Sequence, residues 1–429
     1  MRVLMNVVPA VLLILFRRRL APDPEFAHRL AMPSPGRGRM VMARGTLAQA
    51  PPGRLYFFHT NADYLVGLRL PMLVALVESG YEVSAFAPNM DDGSAALLAR
   101  HGIHARSYQL SPAGINPLRD LRDTWRIART LRREAPGTVF SNNIKPVVFV
   151  TLAAALAGVQ RRHALVGGLG YAFTDEPGRP LPASRRITRV LASALYAVAF
   201  RLCSRVIFHN RDDLGLMVGR RICPRSKAAV VSGSGVDIDA FAPAGRPPLP
   251  TFVFVGRLLA DKGVREYLEA VVETKREFPQ SRFLLVGGAD ANPSAIDPAE
   301  VQRLVDAGAL EWKGKVSDVR PYLRESSVFV LPSYREGVPR STLEAMACGL
   351  AVVTTDAPGC RETVRPGENG LLVPVGDAAA LSAALTLLCS DPARIAAMGD
   401  RSRAMAVERF SSRRVNADIL ALIQGAETS

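Results

Sequence analysis

The chain has 429 residues, 48% hydrophobic and 22% charged, which excludes both a single small module and an intrinsically disordered chain. Its formal charge of +15 is one-sided: residues 1–240 hold 32 Lys and Arg against 16 Asp and Glu, whereas residues 241–429 hold 22 against 23. Five cysteines without a C-x-x-C pair and six scattered histidines indicate neither a disulfide scaffold nor a bound metal, and a reducing cytoplasm suits such a chain.

Residues 1–50 read differently from the rest. MRVLMNVVPAVLLILF is apolar but shorter than the roughly 20 residues of a spanning helix. Arg17, Arg18 and Arg19 follow it, the reverse of a secretory signal. The Pro-, Gly- and Arg-rich stretch beyond reads as a disordered tether, an interfacial anchor, or a leader ahead of a start at Met40 or Met42.

From Arg54 a regular alternation begins. RLYFFHT, a helical RLPMLVALVESG and YEVSAFAP form a β-α-β unit; TVFSN, HALVGG, RVIFHN and AAVVSG then alternate with helical stretches. The Pro-rich segment 242–250 suits an interdomain hinge, after which TFVFVG, RFLLVGG, LEWKG, SVFVLP, AVVTT and GLLVPV repeat the pattern. The expected fold is α/β: two Rossmann-like doubly wound domains, residues 51–240 and 241–429, facing a cleft that takes the ligand.

In TFVFVGRLLADKGV, Gly256 ends a strand, and Arg257 and Lys262 stand before the next helix. A fork and a point charge at such a junction can neutralise a diphosphate, although two loop cations are also commonly just solvated. In SYREGVPRSTLEAMACG, Pro339 prevents one helix from holding both Glu336 and Glu344, so Glu336 falls in a loop at a strand's carboxyl end. The helix beginning at Ser341 offers free amides to an anion. Ser341 and Glu344 also spell a capping box, in which Glu344 reaches back to its own helix and binds no ligand. Both readings of Glu344 stand at this point.

VGRLLADKGV followed by REGVPRSTLEAMACGLAVVTTDAPGCRETVRPGENGLLVPVGD resembles the C-terminal domain of the retaining glycosyltransferases of family 4, which have the GT-B architecture. The resemblance implies that Arg257 and Lys262, beside Gly256, hold a donor diphosphate. It implies that Glu336 and the Gly337, Val338 and Pro339 backbone meet the donor sugar and phosphates, and that Glu344 binds ribose hydroxyls. SNNIKPVVFVTLAAALAGVQRRHALVGGLGYAFTDE, RVIFHNRDDL and NPSAI are similar to the subset that adds an N-acetylhexosamine or hexose to a sugar on undecaprenyl diphosphate. On the acceptor side the resemblance points to Asn61, Tyr64, Lys145 and Tyr171. The loop HTNADYLVGLR departs from the pattern in lacking a glycine pair. What the resemblance implies is a hexosyltransferase with a UDP-linked donor sugar, no cofactor and no metal, acting with retention in cell-surface polysaccharide assembly.

Arg185, Arg186 and Arg189 precede an apolar run with Tyr196 and Phe200, a composition suited to a helix lying on an anionic bilayer. With the basic half and a polyprenyl-linked acceptor, this points to a cytoplasmic protein held peripherally on the inner face of the cell membrane. Two other functions compete. A basic nucleic-acid-binding protein lacks any helix-turn-helix, zinc-finger or RNP-like signature here. A sugar-nucleotide epimerase on the same architecture would form product without an acceptor.

Overall fold

The structure, a computed structural model, describes residues 53–110, 117–175, 182–245, 247–290, 292 and 294–425. The leader, and with it the expected anchor or tether, lies outside the described residues.

Seven strands form the first sheet: β1 Arg54–Phe58, β2 Glu82–Ala87, β3 His104–Ser107, β4 Thr138–Asn142, β5 Arg161–Val166, β6 Arg205–Phe208 and β7 Ala228–Val230. They lie in the order β3-β2-β1-β4-β5-β6-β7, all parallel. Phe57 of β1 pairs in register with Phe140 of β4, and both are buried. Strands covered on two faces need continuous apolar runs rather than alternation, which is how LYFF in β1 and VIF in β6 read.

The second sheet has six strands: β8 Thr251–Val255, β9 Arg282–Val286, β10 Glu311–Trp312, β11 Val328–Leu331, β12 Ala351–Thr355 and β13 Gly370–Val373. Its order, β10-β9-β8-β11-β12-β13, is again wholly parallel. Each sheet therefore reverses strand order once, between β1 and β4 and between β8 and β11, and crevices open at such switch points.

One element crosses the division that the sequence suggests at residue 240. Helix Ser412–Gln424 buries Val415, Ile419, Leu422 and Ile423 in the core of the first sheet, with Leu73 and Leu76. The apolar stripe at i, i+4, i+7 and i+8 announces an amphipathic helix, but no periodicity says which sheet it covers. All five cysteines are buried and unpaired.

Candidate functional site

The loops at the carboxyl ends of both sheets converge on one cleft of about 880 Å³, lined among others by Thr60, Asn143, Gly167, His209, Arg257 and Glu336. Lys262 ends the short 3₁₀ turn Ala260–Lys262 after β8, and Glu336 follows β11. The Lys262 ammonium donates to Glu336 Oε1, which also accepts from Ser333 Oγ at 3.0 Å. The two loops are laced together by Tyr334 N to Asp261 O at 2.9 Å and Ser333 Oγ to Asp261 O at 3.0 Å. Gly263 has φ +72°, and a Cβ there would stand 2.1 Å from Pro332 O, so only glycine lets the turn press this close to the end of β11. Burial pulls the Lys262 pKa down, but the Glu336 carboxylate outweighs it and holds it above the ordinary value.

The sheets also touch here. Gly337 lies against Gly167 so closely that a Cβ on it would be 1.7 Å from Gly167 O. Asn210 Nδ2 donates to Gly337 O at 2.5 Å, Arg335 pairs with the buried Asp213, Arg361 meets Asp212 at 2.9 Å, and Arg340 Nη1 donates to Gly67 O at 2.8 Å. Burial raises the Asp213 pKa, and Arg335 opposes that shift.

Other residues singled out from sequence fall at varied distances from this centre. Arg257 lines the cleft, half-exposed, and pairs with Asp290 at 2.8 Å. Val338 lines it too, whereas Gly256, Pro339 and Glu344 do not contribute to its lining. The capping box is not formed. Pro339, with φ −68°, occupies the N-cap of helix Arg340–Ala347 without a side-chain bond, which moves Ser341 inside the first turn. Glu344, 8% exposed, instead accepts from Arg340 Nε at 2.7 Å, and burial raises its pKa against the pull of Arg340. Lys145 lines the cleft and pairs with Asp120 at 3.2 Å. Asn61 Oδ1 accepts from Tyr64 N at 3.0 Å and so caps a short turn, while Tyr64 is exposed; neither lines the cleft. Tyr171 begins the turn Tyr171–Phe173, and its side chain lies outside the described part of the structure.

Residues 249–391 match the family described as Glycosyl transferases group 1, and residues 70–234 match the Glycosyl transferase 4-like domain. Over 350 residues the chain is 30% identical to the N,N'-diacetylbacillosaminyl-diphospho-undecaprenol alpha-1,3-N-acetylgalactosaminyltransferase of Campylobacter jejuni, covering 78% of this chain and 89% of the relative. The chain belongs to the group 1 glycosyltransferases. It is also 26% identical over 297 residues to the UDP-Gal:alpha-D-GlcNAc-diphosphoundecaprenol alpha-1,3-galactosyltransferase of Escherichia coli, covering 65% of this chain and 72% of the relative. The crystal structure of Anabaena HepE in complex with UDP superposes with a TM-score of 0.68 at 17% identity, over 86% of this chain and 99% of that one. The fold is the GT-B arrangement of two facing α/β domains.

Several cleft residues of this glycosyltransferase were not singled out from the sequence, although Asn143 and His209 lie within stretches that carry the resemblance. Asn143 adopts φ +72° after β4, and its Nδ2 donates to Thr60 Oγ1 at 2.7 Å and stands 3.3 Å from His59 Nε2. Arg69 and His209 are buried at the cleft wall. The signal for Arg69 is its isolation, a lone cation inside the apolar run YLVGLRLPMLVALV. Among the described residues no group of three or more His, Cys, Asp or Glu is placed to hold a metal.

The basic face expected on helix Ala183–Leu202 is corrected by the structure. Arg185 is buried and donates to Thr174 O, and Arg189 donates to Ala172 O and Asp175 Oδ1, both at 2.7 Å. Spaced i, i+4, both turn inward to the carbonyls of the 172–175 turn. What the helix exposes is Arg186 with Ile187, Val190 and Leu191. Its other side, Thr188, Ala192, Leu195 and Tyr196, lines the cleft.

Proposed function

We propose that this glycosyltransferase moves a hexose or N-acetylhexosamine from a UDP-linked donor to a saccharide on a polyprenyl diphosphate, with retention, in cell-surface polysaccharide assembly. The observation that carries the reading is the two-sided lining of the cleft. Arg257, Lys262 and Glu336 stand at one part, suited to a diphosphate and a sugar. The first domain lines it with Val148, Leu169, Phe173 and Leu195, apolar residues suited to the first isoprene units of a lipid carrier. The activities for which the Campylobacter and Escherichia relatives are named support the acceptor class, and the UDP held by HepE supports the donor.

In this reading Lys262 and Arg257 take the charge that develops as the sugar–phosphate bond breaks. Stabilisation aimed at the leaving group acts more on the transition state than on the bound donor. The acceptor hydroxyl oxygen bonds to the anomeric carbon on the face the phosphate leaves. Its proton passes to the departing phosphate oxygen, so atoms and charge balance without an enzyme nucleophile. Glu336, held by Lys262 and Ser333, orients the donor sugar, Lys145 serves the acceptor, and Glu344, which stands behind the cleft-lining Arg340 and accepts from it, is assigned the ribose.

Among the described residues no helix is long and apolar enough to cross a membrane. A peripheral hold on the cytoplasmic face fits helices Pro117–Glu134 and Ala183–Leu202, which both pack on helix Ile144–Leu156. Both expose apolar side chains, Leu118 and Trp125 on one and Ile187, Val190 and Leu191 on the other, amid arginines such as Arg122, Arg129 and Arg186. Incubation with a panel of labelled nucleotide sugars and an undecaprenyl-diphosphate-linked monosaccharide tests the function. Label from a UDP sugar in the lipid fraction, with the donor's anomeric configuration kept by NMR, is expected. Product formed without acceptor, or an inverted anomer, contradicts it.

A further inference from the structure

Arg69 ends the π-turn Leu65–Arg69 that leads into helix Leu70–Glu78, and only 3% of it is exposed. Its Nε donates to Asn142 Oδ1 at 3.0 Å. That amide is held in turn by Asn142 Nδ2 donating to Leu165 O at 3.1 Å. Among the described residues no carboxylate pairs with the guanidinium. A buried cation without a counter-charge is strongly unfavourable unless something supplies one.

The surroundings deepen the imbalance. The charge felt most at Arg69 is another cation, Arg340 of the opposite domain; burial first, then Arg340, lowers its pKa to about 10, which leaves it protonated at neutral pH. His59 and His209 flank it, kept neutral by burial and by Arg69 itself. His209 Nε2 is buried with no hydrogen-bond partner. Gly167 leaves the approach to both open: a Cβ there would stand 3.3 Å from His209 Cε1 and 3.7 Å from Arg69 Nη2. Arg69, His209 and Gly167 all line the cleft.

We infer that Arg69, with His209 beside it, is an anion site that takes a phosphate group of a diphosphate bound in the cleft, a role separate from that of Arg257 and Lys262. The inference rests on the proposed use of diphosphate substrates, and that chemistry has two sources, the nucleotide donor and the polyprenyl-linked acceptor. Calorimetry on the full chain separates them. UDP is titrated into wild type, Arg69→Gln and Arg69→Lys, and inorganic pyrophosphate is then titrated into the UDP-saturated proteins. Losing a charge-assisted fork predicts about a tenfold or greater fall in one of the two affinities for Arg69→Gln, with a smaller fall for Arg69→Lys. A fall for UDP assigns the site to the donor, and a fall for pyrophosphate on the saturated protein assigns it to the acceptor. A structural role alone would change the melting temperature and neither affinity. Folded Arg69→Gln with both affinities unchanged overturns the inference. Should that variant not fold, Arg69→Lys decides, and wild-type affinities in it have the same force. Arg69-dependent anion binding in a protein that glycosylates no lipid-linked acceptor would sink the acceptor reading and leave the anion site standing.

Discussion

Gly337 and Gly167 meet backbone to backbone across the cleft, with room for no Cβ on Gly337, which would stand 1.7 Å from the Gly167 carbonyl oxygen. The contact fixes how closely the two domains approach beside Glu336. Gly337→Ala should leave each sheet folded yet force the domains apart, since neither contacting group is a flexible side chain. Expected are a melting temperature within a few degrees of wild type, a larger radius of gyration by small-angle scattering, and turnover reduced on the order of 10². Wild-type turnover would show that the approach does not matter to the reaction.

Glu344 separates two roles that share one carboxylate. Gln can still accept from Arg340, whose guanidinium is partly exposed, so Glu344→Gln should change stability by no more than about 1 kcal/mol. Loss of the charged acceptor for ribose hydroxyls should weaken UDP binding about tenfold. Unchanged UDP affinity by calorimetry removes Glu344 from the nucleotide site.

His163 tests the core of the first domain. Burial first, then Arg161, Arg205 and Arg162, lowers its pKa to about 4, and both ring nitrogens are buried without hydrogen-bond partners. Its folded pKa lies below the unfolded value of about 6.5, so between those values the unfolded chain binds more protons. Stability is complete above about pH 6.5 and declines as pH falls toward 4. His163→Phe keeps an aromatic ring beside Phe140 and removes the titration. Denaturant melts from pH 7 to 4.5 should show a shallower decline in the variant; an equal slope would mean that other groups carry it.

The sheets were legible because buried parallel strands are short apolar runs between amphipathic helices, as in TFVFV and SVFVL. The two loops that meet at Lys262 and Glu336 were legible because Pro339 must break a helix and because Arg257 and Lys262 sit at a strand-to-helix junction. Of the two readings of Glu344, the capping box did not form because S-x-x-E is a local code, and one proline in the N-cap position overrode it. Arg185 and Arg189 misled because charge patterning cannot see the carbonyls at 172–175 that draw two of three arginines inward. Arg69 and His209 were visible only as a lone cation in an apolar run and as part of RVIFHNRDDL, because their meaning depends on what lacks a partner in three dimensions.

The inward turn of Arg185 and Arg189 moves the proposed membrane contact to other side chains. Ile187→Ser, Val190→Ser and Leu191→Ser together should weaken sedimentation with phosphatidylglycerol-rich vesicles severalfold without unfolding, because these side chains are exposed. Arg185→Ala should lower the melting temperature instead, because it leaves the Thr174 carbonyl without its donor. Binding carried by apolar burial survives high salt, whereas binding carried by Arg122, Arg129 and Arg186 does not. A chain beginning at Met40 that ignores such vesicles at low salt would remove this face from membrane contact.

The most direct measurement is transfer itself, with purified protein, a UDP sugar and an undecaprenyl-diphosphate-linked monosaccharide, comparing wild type with Lys262→Ala and Glu336→Gln. The ion pair between these side chains stands where the donor's diphosphate and sugar are proposed to sit. Lipid-linked product from wild type, and turnover reduced on the order of 10² or more in both folded variants, is the expected result. No transfer by wild type to any lipid-linked acceptor, or near-normal transfer by both variants, would contradict it.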